Sequence, residues 1–115
     1  MNNINSINTT INVFIEEADK HAVATLNGDY KMANKSYNKI VRSIKLLKEK
    51  NELNKLLPFL KHKSVGVQIA VATFLLPYNT DECLKKLEDI AMRSDIQGLN
   101  AATIISEWKK GSLEL

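Results

Sequence analysis

Apolar residues recur at helical spacing along most of this chain, and no stretch alternates as a β-strand would. From Thr10 onward, Ile11, Phe14, Ile15, Ala18, Ala22 and Leu26 share one helical face. Asn8, Thr9 or Thr10 can cap this first helix, and Gly28 stands where a left-handed terminator belongs. Residues 1–9 are polar and aperiodic and are expected to form a flexible lead-in. Asp29 can cap a second helix from Tyr30 to about Lys50, with Ala33, Tyr37, Ile40, Val41, Ile44 and Leu47 turned inward. The short turn between them predicts an antiparallel hairpin.

A third helix begins near Asn51 or Glu52 and carries Leu53, Leu56, Leu57 and Leu60, with Pro58 expected to bend or divide it. Ser64 caps a fourth, Val65 to Leu76, in which nine of twelve residues are apolar. A helix apolar nearly all round must be covered from more than one direction, which predicts a central element. Pro77 ends it and Tyr78 follows in the turn. Asn79 and Glu82 have capping-box spacing before a fifth helix that buries Leu84, Leu87, Ile90 and Ala91. A sixth begins after Ser94 or Asp95, carries Ile96, Leu99, Ala102, Ile105 and Trp108, and stops at Gly111. The expected fold is all-α: about six helices in three stacked hairpins, one armadillo- or HEAT-like domain over residues 10–111.

Length and charge refine this picture. At 115 residues the chain suits one domain. Its single cysteine, Cys83, excludes an internal disulfide and fits a reducing compartment. Residues 1–10 lack the basic and apolar regions of a signal peptide, and no run reaches the ~20 apolar residues of a membrane span. A cytoplasmic location without a membrane partner is the expectation. Net charge is +3, but residues 30–63 hold ten basic residues against two acidic ones, a local charge of +8 balanced by −5 elsewhere. Lys31, Lys35, Lys39, Arg42 and Lys45 form a stripe on the second helix, and Lys61, His62 and Lys63 form a basic turn. Such asymmetry fits either a charged partner or a plainly solvated face.

The candidate chemistry is sparse. Cys83, in the first turn of a helix, reads either as a reactive thiol or, with more weight, as a small core residue beside Leu84 and Leu87. His21 and His62 stand apart from other ligands, so no metal site is expected. His62 fits an anion contact less well than a solvated turn. Glu16, Glu17 and Asp19 cluster, as do Glu88 and Asp89, on what read as ordinary exposed helix faces. No glycine-rich phosphate loop is present. The chain is expected to be no enzyme and to need no cofactor.

Gly28-Asp29 with Ala33-Asn34 and Tyr37, the Leu56-Leu57-Pro58 segment and Glu107-Trp108 give the chain a resemblance to a family of small bacterial proteins of unknown function. The resemblance covers most of the chain after Thr10 and implies an armadillo- or HEAT-like fold. Proteins similar to this family are candidate immunity partners of bacterial toxins. The chain departs from HEAT-like patterns in its Lys61-His62-Lys63 turn, where Asp is usual, and at Gln68, where Arg is usual.

Together these features imply a noncatalytic protein-binding module that neutralises a toxin by occlusion. Lys31, Lys35, Lys39, Arg42, Lys61, His62 and Lys63 would face an acidic partner. Glu16, Glu17 and Asp19 would serve if the toxin is a basic nuclease. Tyr78 and Trp108 are possible aromatic contacts, Trp108 reading first as a core cap; Tyr78 is expected to join the basic turn along one edge. The alternative is nonspecific nucleic-acid binding by the lysine stripe, with only one arginine in it to read bases. Composition sets no oligomeric state.

Overall fold

The computed structural model describes residues 3–115. All regular structure among them is helical: α1 (Asn3–Leu26), α2 (Tyr30–Glu49), a 3-10 helix (Leu53–Lys61), α3 (Val65–Leu75), α4 (Thr80–Ala91) and α5 (Ile96–Lys110). The chain divides into two compact units, one ending at Leu56 and the other spanning Leu57–Leu115.

In the first unit α1 packs against α2. Met1 and Asn2, at the start of the expected lead-in, lie outside the described residues; from Asn3 the chain is already helical. The reason is Ile7, which is buried and extends the stripe of Ile11, Phe14 and Ala18 back by four residues. Thr10 is therefore mid-helix, its hydroxyl donating to the Ser6 carbonyl at 2.9 Å. Gly28, at φ +71°, ends α1 as expected. The Asp29 amide donates to the Ala24 carbonyl at 2.9 Å and the Gly28 amide to Thr25 at 3.2 Å, a Schellman closure. Asp29 then caps α2 by accepting from the Met32 amide at 3.1 Å.

The inward face of α2 differs from the expected one. Ala33, Ser36, Ile40, Ser43, Ile44 and Leu47 are buried, while Tyr37 and Val41 are exposed. Two serines occupy the helix–helix seam because small side chains let the backbones approach. The Ser43 hydroxyl satisfies itself on the Lys39 carbonyl at 3.0 Å, whereas the buried Ser36 hydroxyl has no partner. Asn51, at φ +56°, takes the left-handed position after α2. Asparagine tolerates that conformation better than most residues.

Pro58 does not divide the third helix. The segment is one 3-10 helix of nine residues with Pro58 on its exposed side. Leu53, Leu56 and Leu60 are buried.

In the second unit α3 packs on α4, α4 on α5, and α3 reaches α5. No residue of α3 is exposed, as its nearly uniform apolar character requires. Ser64 caps it, accepting from the Val67 amide at 3.3 Å. Asn79 precedes α4 but makes no side-chain cap bond, so the expected capping box does not form. Asp95 caps α5, accepting from the Gly98 amide at 3.1 Å. Helix α5 is rotated from the expected register: Gly98 and Ala101 are buried, while Ile96, Leu99 and Ala102 are exposed. A Cβ on Gly98 would collide with the Arg93 carbonyl oxygen, so glycine here permits the tight α4–α5 turn. Gly111, at φ +74°, closes α5 as expected.

Candidate functional site

Helix α2 carries no carboxylate between Tyr30 and Lys48. Its buried face is fixed by Ala33, Ile40 and Leu47, which leaves Lys31, Lys35, Arg42 and Lys45 on the opposite, exposed face. Four cations thus share one solvent-facing strip. Lys39 belongs to a different place. It is half-buried at the edge of the α1–α2 seam, with its Nζ 3.9 Å from Glu17 Oε2.

Glu17 is the main correction among the candidate acids. Rather than lying on an exposed face it is buried, with Lys20 Nζ at 3.5 Å and Lys39 Nζ at 3.9 Å. The reason is its helical position beside Phe14 and Ala18, next to the seam. It is withdrawn from any surface patch. Glu16 remains exposed and pairs with Lys20 at 3.2 Å, as its i,i+4 spacing predicts. The Glu16 contact, with help from Glu17, raises the Lys20 pKa. Asp19 is exposed.

Tyr30 is 76% exposed and Tyr37 43%, both on α2 beside the cationic strip. Tyr37 also meets His21 of α1, ring centroids 5.8 Å apart. Half-burial lowers the His21 pKa through loss of solvation.

Lys61, His62 and Lys63 lie in the second unit, both lysines exposed. His62 is half-buried and structural in use. Its Nδ1 accepts the Ser64 amide proton at 3.0 Å, and its carbonyl accepts from the Gln68 side-chain amide. That nitrogen carries no proton in this geometry, which leaves only Nε2 as a donor toward an anion. Gln68, standing where Arg is usual, ties the turn to α3. Tyr78 is exposed but does not join this turn. The two turns flank α3, whose 11 residues separate them by about 16 Å. Trp108 is half-buried on α5.

Cys83 is fully buried, and loss of solvation, with the Glu82 charge, pushes its thiol up to about 11. The core-residue expectation fits this environment; a thiolate nucleophile does not. Among the described residues no group of three or more His, Cys, Asp or Glu could hold a metal ion. No helix among them is long and apolar enough to cross a membrane. What sequence pattern missed is the row Tyr30, Tyr37 and Val41, which it assigned in part to the core. The signal was there in Ser36 and Ser43, which complete a seven-residue repeat with Ala33, Ile40 and Leu47. Comparison of the chain with protein-family models, with curated proteins and with solved structures finds no match in any of the three.

Proposed function

We propose that this protein is a noncatalytic protein-binding module whose α2 surface receives an acidic partner. The observation that carries the proposal is the carboxylate-free cationic strip of Lys31, Lys35, Arg42 and Lys45 on one exposed helical face. A preformed helix presents these charges at little ordering cost, so binding would proceed by occlusion of the partner's surface. The charges would accelerate encounter more than they deepen affinity. An immunity role, covering a toxin's working surface in the cytoplasm, is the biological form of this proposal. It rests on the family resemblance and the uneven charge.

Nucleic-acid binding is the second reading, favoured by Tyr30 and Tyr37 standing exposed beside the cations. The exposed aliphatic residues Val41, Met32 and Leu46 on the same helix weigh against it, because they offer nothing to a base or a phosphate. Co-expression with the product of an adjacent toxin-like gene tests the proposal. A stable complex that resists nuclease supports it. A complex that dissolves on nuclease treatment, with tight salt-sensitive oligonucleotide binding in its place, contradicts it.

A further inference from the structure

Helix α5 packs on α4 and reaches α3, and it buries Gly98 and Ala101. Helical geometry puts Ile96, Leu99, Thr103 and Ser106 on the side opposite Ala101, and all four are exposed. Leu99 is 65% exposed and Ile96 39%. No charged residue occurs from Ile96 to Ser106; Arg93 and Asp95 precede this stretch, and Glu107, Lys109 and Lys110 follow it. A solvated helix face usually carries charged residues, and this one carries none over its first three turns. The Thr103 hydroxyl donates to the Leu99 carbonyl at 3.0 Å, so covering it strands no donor. The unit that holds α5, residues 57–115, has seven basic and seven acidic residues and no net charge. Residues 1–56 have nine and six, so the whole excess of the chain lies in the other unit.

We infer that this face of α5 receives the same face of a second copy of the chain, the two helices antiparallel about a two-fold axis level with Ala101. The order of side chains along the face selects this occupant. Large apolar residues come first, Ile96 and Leu99, and small ones follow, Thr103 and Ser106. About that axis Ile96 of each copy faces Ser106 of the other, and Leu99 faces Thr103. Every layer then sets a large side chain against a small one, which fills the space between the helices evenly. The patch is thus complementary to itself, as a two-fold contact requires. A parallel pair would set Ser106 against Ser106 and leave that end gapped. The charged residues lie beyond the layers at both ends, so pairing desolvates no charge. With no net charge on this unit, two copies meet here without the repulsion that the cationic strip of α2 would impose. The layers span about 15 Å of helix, which makes the contact small and the dimer dependent on concentration. The inference goes beyond the acidic-partner proposal and does not depend on it.

Sedimentation velocity of the full chain, from about 5 to about 500 µM, tests this. The mass is expected to climb from 12.9 kDa toward twice that value across the range. L99D, at an exposed position, is expected to stay monomeric throughout with an unchanged circular dichroism spectrum. L99T sets Thr against Thr and is expected to weaken the dimer about tenfold. L99T/T103L exchanges the two members of that layer and is expected to recover most of the loss. K31E/K35E/R42E, on α2, is expected to leave the dimer unchanged. A chain that is monomeric over the whole range overturns the inference, as does a dimer that L99D leaves intact. Failure of L99T/T103L to recover what L99T loses overturns the antiparallel pairing. Loss of the dimer in K31E/K35E/R42E moves the contact to α2 and overturns the inference as well.

Discussion

Ser36 is fully buried in the α1–α2 seam with an unpaired hydroxyl. An unsatisfied buried hydroxyl carries its desolvation cost with no return, so S36A is expected to be neutral or to stabilise by up to about 1 kcal/mol. A chemical denaturation midpoint measures this; a clear loss of stability would mean that the hydroxyl has a partner after all. Gly98 behaves oppositely. A methyl there meets the Arg93 carbonyl, so G98A is expected to cost about 1–3 kcal/mol by overpacking. At Asp95 the Arg93 guanidinium, with Nη2 2.6 Å from Oδ2 and Nε 3.2 Å from Oδ1, and then the Gly98 amide hold the carboxyl below its ordinary 3.8. A depressed folded-state value means that the contribution is present above pH 3.8 and is lost as pH falls through the folded value. The stability advantage of wild type over D95N, followed by thermal melts across pH 2–7, should therefore shrink toward the acid end. Cys83 is expected to resist thiol reagents at pH 8 in the native state and to react only on unfolding, since its burial pushes its pKa up to about 11.

At the scale of elements, helix number, most boundaries and the caps at Asp29, Ser64 and Asp95 were legible because they depend on local chemistry. Gly28 and Gly111 take positive φ where their positions after apolar runs predicted terminators. What was not legible was helix rotation. Amphipathic pattern ranks faces by apolarity, so it turned Tyr37 and Val41 inward on α2 and Leu99 and Ala102 inward on α5. The packing instead buries Ser36 and Ser43 on one helix and Gly98 and Ala101 on the other. Close approach of two backbones rewards small residues at the contact, and that benefit depends on a neighbour which a single helix's pattern does not contain. The same rotation exposes Tyr37 and Val41, while Glu17 on α1 is buried by its own position beside Phe14 and Ala18. Pro58 is a second case: its missing amide was expected to bend or divide the helix, and the chain adopts 3-10 geometry through it. G28A tests the terminators. At φ +71° alanine is expected to lose about 1–2 kcal/mol in the denaturation midpoint.

For the whole molecule the uneven charge is the property with functional reach. The +8 excess of residues 30–63 is divided between the two compact units, with Lys31, Lys35, Arg42 and Lys45 in the first and Lys61 and Lys63 in the second. Lys39 is unsuited to a binding test, because reversing its charge would set two carboxylates against each other beside the buried Glu17. Lys31, Lys35 and Arg42 are exposed, so K31E/K35E/R42E reverses three of the strip's four charges without touching a buried side chain. The decisive measurement is capture by the full-length tagged chain, with nuclease present, comparing wild type with K31E/K35E/R42E. If α2 is the acidic-partner surface, wild type retains one stoichiometric protein and the folded triple variant loses it. Retention of that protein by the triple variant, or its release by nuclease from wild type, would contradict the assignment.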